Sequence, residues 1–98
     1  MSDQNTENSN SRNEPKQKKN SDIVKLSQLE LDSIVDLHIK FIEGRLGGRR
    51  ANLRNMDISG LSLVNKNLQQ ADFSGCIMQK MDLSGTNFRE ASLYAADL

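Results

Sequence analysis

The chain has 98 residues, equal totals of 13 basic and 13 acidic side chains, and only 36% apolar and 4% aromatic residues. This length fits one small domain, and the charge balance does not point to a polyanionic or polycationic partner. A mean hydropathy of −0.63 is low for a globular domain. We therefore expect the average to combine a polar region with a more apolar one.

Residues 1–24 are predicted to be a disordered polar tail. They are rich in Asn, Ser, Gln, Lys and Glu, contain the only proline, and offer too little apolar surface to offset the entropy of ordering. Lys16, Lys18 and Lys19 form a small basic cluster, but nearby carboxylates balance it and no aromatic side chain is present for base stacking. We therefore expect a solvated tail that makes no nucleic-acid contact.

A helix is predicted over residues 28–45. Ser27 and Glu30 have the spacing of a capping box, in which each side chain accepts a backbone N–H of the other residue. Gly47 and Gly48 are expected to end the helix, because glycine adopts the left-handed conformation of a C-terminal cap. Residues at three- and four-residue steps predict one apolar stripe along the helix, made of Leu31, Ile34, Val35, His38, Phe41 and Ile42. Leu37 and Ile39 lie outside this stripe.

His38 is the only histidine, and it lies on this apolar stripe. No Cys or His occurs at a ligand spacing from it, so the sequence supports no zinc or iron site. We expect a packed imidazole that bonds a nearby backbone group, with the 47–51 loop as the candidate, and no role in acid–base catalysis.

The second half of the chain carries a five-residue repeat. An apolar residue recurs at every fifth position, at Leu53, Ile58, Leu63, Leu68, Phe73, Met78, Leu83, Phe88, Leu93 and Leu98. A second, usually smaller series precedes it by two residues, at Ala51, Met56, Leu61, Lys66, Ala71, Cys76, Met81, Thr86, Ala91 and Ala96. Apolar residues fill 18 of these 20 positions and only 4 of the other 28, so both series are predicted to face an interior.

The spacing of the two series indicates short extended segments joined by turns. Residues two apart point the same way in an extended segment. Gly or Asn fills five of the nine positions that lie two residues after a central residue, as turns with positive φ favour. If four such sides complete one circuit, every column should recur after twenty residues; Ala51, Ala71 and Ala91 agree with this period.

The repeat resembles the pentapeptide-repeat family, whose pattern is roughly A-[DN]-L-x-x. The matching triplets are Ala51-Asn52-Leu53, Ala71-Asp72-Phe73, Met81-Asp82-Leu83 and Ala96-Asp97-Leu98. The resemblance covers residues 51–98 and implies a mainly β fold, a right-handed quadrilateral β-helix. We expect a capping helix and Gly-Gly junction in residues 25–48 and the repeat in residues 49–98. The repeat should form about two and a half coils, stacked roughly 4.8 Å apart.

Three departures from the family pattern leave a competing interpretation open. Lys66 and Thr86 occupy small inward positions, and Ile77 stands where Asp, Asn or Ser is usual. A leucine-rich repeat shares part of the spacing, but Lys66 and Thr86 replace the Asn of its turn, and it leaves Leu53, Phe73 and Leu93 unexplained. The pentapeptide interpretation explains every register.

The sequence offers two candidate contact surfaces. The first surface is the C-terminal coil, because Leu98 is at an inward-facing position. We expect either that the chain is the N-terminal part of a longer bacterial protein, or that the open C-terminal coil binds a protein partner or a second copy of this chain. The second surface is a possible basic and aromatic contact patch of Arg49, Arg50, Arg54 and Tyr94. The alternative is that these are ordinary solvated surface residues.

Reactive chemistry has little support in the sequence. Cys76 is the only cysteine, so no internal disulfide is possible; we expect a buried thiol, although intermolecular pairing stays open. The outward aspartates, Asp57, Asp72, Asp82 and Asp97, are predicted to be structural polar ladders. We expect no cofactor, metal, small-molecule ligand or nucleic acid. The absence of a membrane span or secretory segment predicts a cytoplasmic protein without membrane contact.

The sequence therefore predicts a non-enzymatic scaffold or protein-interaction module. The resemblance also raises an alternative, because some members of the family protect gyrase by imitating duplex DNA with a long acidic rod. Residues 49–98 contain six basic and five acidic residues, and the rod is short, so neutrality and length both disfavour topoisomerase modulation.

Overall fold

A computed structural model describes residues 23–98; the predicted polar tail lies outside the described residues except for its last two positions. Three elements are present, strand β1 (Val24–Lys25), helix α1 (Gln28–Ile42) and strand β2 (Met56–Asp57). β1 and β2 pair in parallel, with Val24 opposite Met56. The predicted tail boundary at residue 24 is therefore wrong, because the backbone of Val24 already belongs to a strand.

The N-terminus of α1 contains the capping box of Ser27 and Glu30. The Ser27 hydroxyl accepts the Glu30 N–H at 3.1 Å, and the Glu30 carboxylate accepts the Ser27 N–H at 2.8 Å. Two of the N–H groups that a helix leaves without intrahelical partners are thus bonded. The start of α1 is thereby fixed directly after β1.

The helix ends earlier than predicted. Its last residue is Ile42, with Glu43 as C-cap, and the left-handed residue that follows is Gly44, with φ +70°. The Gly44 N–H donates to Phe41 O and the Arg45 N–H donates to Lys40 O, which together form a Schellman motif. Gly44 therefore has the capping role predicted for Gly47 and Gly48.

The Gly47–Gly48 pair serves the junction instead. Gly47 is a second left-handed position, with φ +84°. Gly48 lies so close to the helix that a Cβ there would overlap the backbone of Lys40 and Phe41. The Arg49 N–H then donates to Leu37 O at 2.9 Å, so the chain leaves the loop pressed against α1.

The buried face of α1 is narrower than the predicted stripe. Leu31, Val35 and His38 are fully buried. Ile39, predicted to lie off the stripe, packs against the core, whereas Phe41 is 38% exposed. At 3.6 residues per turn the face is centred on Leu31, Val35 and His38, so residues 39 and 41 fall on opposite flanks. Within residues 23–98, no helix has the length and apolar character that a bilayer span requires.

Residues 51–98 return to the same place every twenty residues. Within residues 23–98, six isolated parallel bridges each join residues twenty apart, namely Asn52 with Asp72, Asp57 with Ile77, Ser62 with Asp82, Asn67 with Asn87, Asp72 with Ser92, and Ile77 with Asp97. We call residues 51–70 the first layer, 71–90 the second layer and 91–98 the third layer. Parallel pairing between successive layers places identical sequence columns on top of one another.

The core lies inside this stack and is best protected in its first half. Six of the predicted central residues are 2% exposed or less, namely Leu53, Ile58, Leu63, Leu68, Phe73 and Met78. Leu83 and Phe88 are half-buried, and the Phe88 ring meets Phe73 edge-on with centroids 5.5 Å apart. Leu93 and Leu98 are 37% and 64% exposed, contrary to the prediction for the core. They are exposed because no further layer packs on them among the described residues.

Candidate interaction surfaces

The two edges of the stack differ in how their backbone groups are bonded. The N-terminal edge consists of the first-layer N–H and C=O groups that point towards α1. β1 covers one part of it: the Leu26 N–H donates to Asp57 O at 3.1 Å, and the Lys25 ammonium donates to Ser59 O at 2.9 Å. A two-residue strand and one side chain therefore replace a preceding layer at this side.

Gln28 covers the next part of the N-terminal edge. Its side-chain oxygen accepts the Ser62 N–H at 2.8 Å and its side-chain nitrogen donates to Ser62 O at 3.0 Å. One primary amide thus makes the pair of bonds that a neighbouring strand would make. The same nitrogen lies 2.9 Å from an Asp32 carboxylate oxygen, which holds the amide in this orientation.

His38 bonds the two ends of the first layer to the helix. Its Nδ1 accepts the Ala51 N–H at 2.9 Å, and its Nε2 lies 2.9 Å from Gln69 O. A backbone N–H can only donate and a carbonyl can only accept, so the ring is neutral with its proton on Nε2. The predicted bond between a packed imidazole and the 47–51 loop is confirmed.

The environment of His38 lowers its pKa below the usual value. Burial is the largest cause, and the positive charge of Arg50 acts in the same direction, while the bond to Gln69 O acts against them. Protonation would place a second N–H against the Ala51 N–H. The ring is therefore suited to a structural role as a neutral group.

The C-terminal edge has no comparable cover among the described residues. In the first layer and at the start of the second, the N–H of each central residue donates to the next layer, as Leu63 does to Asp82 O and Phe73 does to Ser92 O. The corresponding N–H groups of Leu83, Phe88 and Leu93 take part in no backbone bond within residues 23–98. Exposed backbone groups and exposed apolar side chains therefore occur together on this edge.

The outward polar residues bond the turns of their own layer. Asp57, Asp72 and Asp82 each accept the N–H two residues further along the chain, at 3.0 to 3.1 Å. Asn52, Ser62, Asn67 and Asn87 make the same bond at their positions. The repeat favours Asp, Asn or Ser here because a short polar side chain reaches this N–H.

Ile77 is the instructive exception in this column. It cannot accept the Gln79 N–H, which instead donates to the Ser59 hydroxyl of the first layer at 3.2 Å. The Gln79 amide also donates to Asp97 of the third layer at 2.9 Å. The side chains above and below thus compensate for the departure from the family pattern.

The pKa values of the three aspartates are lowered by these local bonds. For Asp57 the largest cause is the Ser59 N–H, and for Asp72 and Asp82 it is the hydroxyl of the serine two residues on. Lys25 and Arg54 add smaller contributions at Asp57 and Asp72. These carboxylates are stable anions held by turns, an arrangement that suits structure better than proton transfer.

Cys76 is a free, fully buried thiol. Burial raises its pKa to about 11, with the charge of Asp57 as a smaller cause. A thiol with a raised pKa and no solvent access is a poor nucleophile.

The structure divides the predicted contact patch. Arg49 and Arg50 lie beside α1, whereas the Arg54 guanidinium is 3.5 Å from an Asp72 carboxylate oxygen. Tyr94 is 81% exposed but lies in the third layer, with Ser74 between it and Arg54 in the same column. Arg49 and Arg50 therefore share a surface that Tyr94 does not reach.

The stacked five-residue units define a parallel repeat protein in which each layer bonds its neighbours through the backbone. A comparison with protein families matches residues 67–98 to pentapeptide repeats, described as eight copies. Residues 67–98 thus consist of pentapeptide repeats, and these repeats imply a β-helix, which agrees with the small parallel sheet and the twenty-residue bridges. No curated protein and no solved structure matched the chain.

Two features of the N-terminal edge were not predicted. β1 is too short to give an alternating pattern, and Val24 was assigned to the tail because polar residues dominate the sequence before it. Gln28 is an ordinary first-turn residue, and nothing in its sequence context marks an amide that bonds a residue 34 positions away. Only the fold brings Gln28 and Ser62 together.

Proposed function

We propose that the chain is a non-enzymatic protein-interaction module whose contact surface is the C-terminal edge of the repeat. In this proposal the layers form a right-handed quadrilateral β-helix with four five-residue sides per coil, and about two and a half coils rise roughly 12 Å at ~4.8 Å per layer. The observation that carries the proposal is the difference between the two edges. One is bonded by β1, Gln28 and His38, and at the other the N–H groups of Leu83, Phe88 and Leu93 make no backbone bond within residues 23–98.

The open edge suits one kind of contact. An exposed strand edge with apolar side chains favours pairing with further β structure, and a layer of the same repeat offers the matching spacing. Because α1 and β1 cover the N-terminal edge, a second copy cannot stack head to tail. It would have to meet the first copy edge to edge about a two-fold axis, which closes the assembly as a dimer.

The absence of enzymatic activity is part of the proposal, and the surroundings of the aspartates and of the thiol agree with it. The aspartates with lowered pKa values are held by turn N–H groups, and the single thiol is buried with a raised pKa. A cytoplasmic location is also proposed, because a buried free thiol is compatible with a reducing compartment. A surface of bonded turns serves recognition better than reaction.

Light scattering of the 98-residue chain tests this function. We expect a mass of twice 11.0 kDa, since the exposed Leu93 and Leu98 would be buried between two copies. Leu93→Lys should give a monomer, because a buried ammonium at the pairing edge is costly. Tyr94→Lys, at an outward-facing neighbour, should leave the dimer intact.

The outcomes distinguish whether a second copy or a further layer of the same chain packs on the C-terminal edge. A dimer that Leu93→Lys dissociates supports pairing between copies. A monomer in all three proteins overturns self-association through this edge. A variant with synthetic repeats added after Leu98 tests whether a layer of the same chain fits the edge. Slower hydrogen exchange of the Leu83 and Phe88 amides in this variant would support such a fit.

A further inference from the structure

The outer flank of α1 carries apolar side chains that neither the core nor the C-terminal edge explains. Leu37 and Phe41 are 36% and 38% exposed, and a spacing of four residues makes them neighbours on the helix surface. Leu46, in the loop that follows, is 99% exposed. A helix that covers a small core normally presents polar residues on its outer face. These residues are therefore candidates for a contact with another protein.

A depression lies between this flank and the start of the repeat. It has a volume of about 120 Å³ and is lined by Ile34, Leu37, Arg49, Arg50, Ala51 and Asn52. We call these six residues the α1 groove. Its walls are fixed, because the Arg49 N–H donates to Leu37 O at 2.9 Å and the Ala51 N–H donates to buried His38. Since a cavity of ~150 Å³ holds benzene, this one suits a single leucine- or methionine-sized side chain.

The rim of the α1 groove is positively charged. None of its six residues is acidic, and Arg49 makes no side-chain bond or ion pair within residues 23–98. The Arg50 Nε donates to Gln70 O at 2.6 Å, which fixes its guanidinium at the rim. Two carboxylates of the second layer are engaged elsewhere, Asp72 with Arg54 and Glu90 with the amide of Gln70. The groove thus combines an apolar floor with two guanidinium groups that lack a carboxylate partner among the described residues.

We infer that the α1 groove binds an acidic peptide segment of a partner protein that presents one aliphatic or methionine side chain. The anchor fills the depression, and carboxylates within two or three residues of it accept bonds from Arg49 and Arg50. Guanidinium–carboxylate pairs beside a buried apolar anchor are the usual composition of a small, specific recognition site. Duplex DNA or an anionic membrane would use the two charges but leave the apolar floor empty.

This site is distinct from the C-terminal edge. Its residues lie on α1 and at the first layer, whereas Leu93 and Leu98 lie in the third layer. A module with a contact at each end can join two partners. Failure of either site leaves the other untouched, so the two proposals are tested separately.

Selection from a peptide library on the full chain tests the α1 groove. The library displays 12-residue peptides with six randomised central positions, so no partner sequence has to be known in advance. We expect enrichment of Leu or Met with Asp or Glu within three positions. The best peptide should lose at least about tenfold in affinity when its anchor becomes Ala and when its acids become Lys, roughly 1.4 kcal/mol each. Binding should also weaken between 50 and 300 mM salt, as expected for exposed charges.

Matched variants locate the binding site. Leu37→Ala and Arg49→Glu should each weaken the selected peptide at least about tenfold. Leu29→Ala removes an equally large, 77% exposed side chain from α1 outside the groove, and Arg89→Glu reverses an exposed charge in the second layer. Both controls should bind as the unmodified chain does, and urea unfolding of all four variants shows that each is folded.

Several outcomes would overturn the inference. These are no enrichment, enrichment of basic peptides, equal binding after Leu37→Ala and Leu29→Ala, and equal binding after Arg49→Glu and Arg89→Glu. Acidic peptides that bind equally with Ala at the anchor position would show charge attraction alone. Binding of duplex DNA or anionic vesicles with the same dependence on Arg49 but none on Leu37 would assign the surface to a polyanion instead.

Discussion

The turn residues of successive layers fit one another in pairs. Asn55 has φ +59°, and its side-chain amide lies over Gly75, where an added Cβ would overlap the amide oxygen. Asn65 lies over Gly85 in the same way. The left-handed backbone alone does not exclude a side chain, because Ala95 adopts φ +59° in the same column. Glycine is favoured at position 75 because the side-chain amide of Asn55 lies where a Cβ would be.

Gly75→Ala should therefore destabilise the protein more than Gly60→Ala does. Both glycines have positive φ, so both variants carry a backbone cost of about 1 kcal/mol. Only Gly75 has an atom within reach of the added methyl group, the amide oxygen of Asn55, and moving that side chain off its preferred rotamer adds about 1 kcal/mol. Urea unfolding measures both variants. Asn55→Ala in the Gly75→Ala background should recover part of the loss, and equal effects at positions 60 and 75 would refute the pairing.

His38 should make stability depend on pH in a defined window. Because burial lowers its pKa in the folded protein, the unfolded chain binds the proton more tightly. The contribution of the neutral ring is fully present above about pH 6.5 and is lost as the pH falls from there towards the folded pKa. Urea midpoints between pH 5 and 8 should fall on acidification, and His38→Gln should remove most of this slope. A flat profile for the unmodified protein would contradict the assignment.

The aspartates act in a lower window. The pKa values of Asp57, Asp72 and Asp82 are lowered on folding, so their contribution is present above about pH 4 and is lost as the pH falls below it. This range lies below the one assigned to His38. The two effects can therefore be measured separately in one titration.

At the scale of elements, the helix and β1 serve as a substitute for a missing layer. Gln28 is the sharpest test, because its amide alone bonds both backbone groups of Ser62. Gln28→Ala should cost about 1–3 kcal/mol by leaving these groups without a protein partner. The Ser62 amide should also exchange faster with solvent. Leu29→Ala, at the exposed neighbouring position, should change neither quantity.

Some features of these elements are predictable from the sequence and others are not. Local signals were sufficient for the capping box at Ser27 and Glu30, since both bonds join residues three apart. The helix end was misplaced because Gly-Gly is the more conspicuous pair, although Gly44 alone makes the Schellman motif. β1 and the role of Gln28 depend on contacts more than thirty positions away. No local pattern could have indicated them.

At the scale of the whole molecule, the five-residue period carries most of the fold. Inward columns, polar turn acceptors and the twenty-residue bridges all follow from it, because each side repeats the same backbone bonds. The period does not supply what packs against the first and last described layers. The burial of Leu53 and the exposure of Leu98, at equivalent sequence positions, depend on what lies beyond the first and third layers. The candidate contact surfaces lie on the first and third described layers, where the period does not say what is packed against them.

The N-terminal cover should be required for cooperative folding. In repeat proteins each layer is stabilised by its neighbours, so the first layer depends on the elements that cover it. Deleting residues 25–48 removes Leu31, Val35 and His38 from the core and leaves the first layer without the bonds of Gln28. We expect the cooperative urea transition to disappear. Deleting residues 2–22 is the matched control and tests the expectation that this segment adds nothing to the core. An unchanged transition after deletion of residues 25–48 would show that the repeat is stable without α1 and that the helix has another purpose.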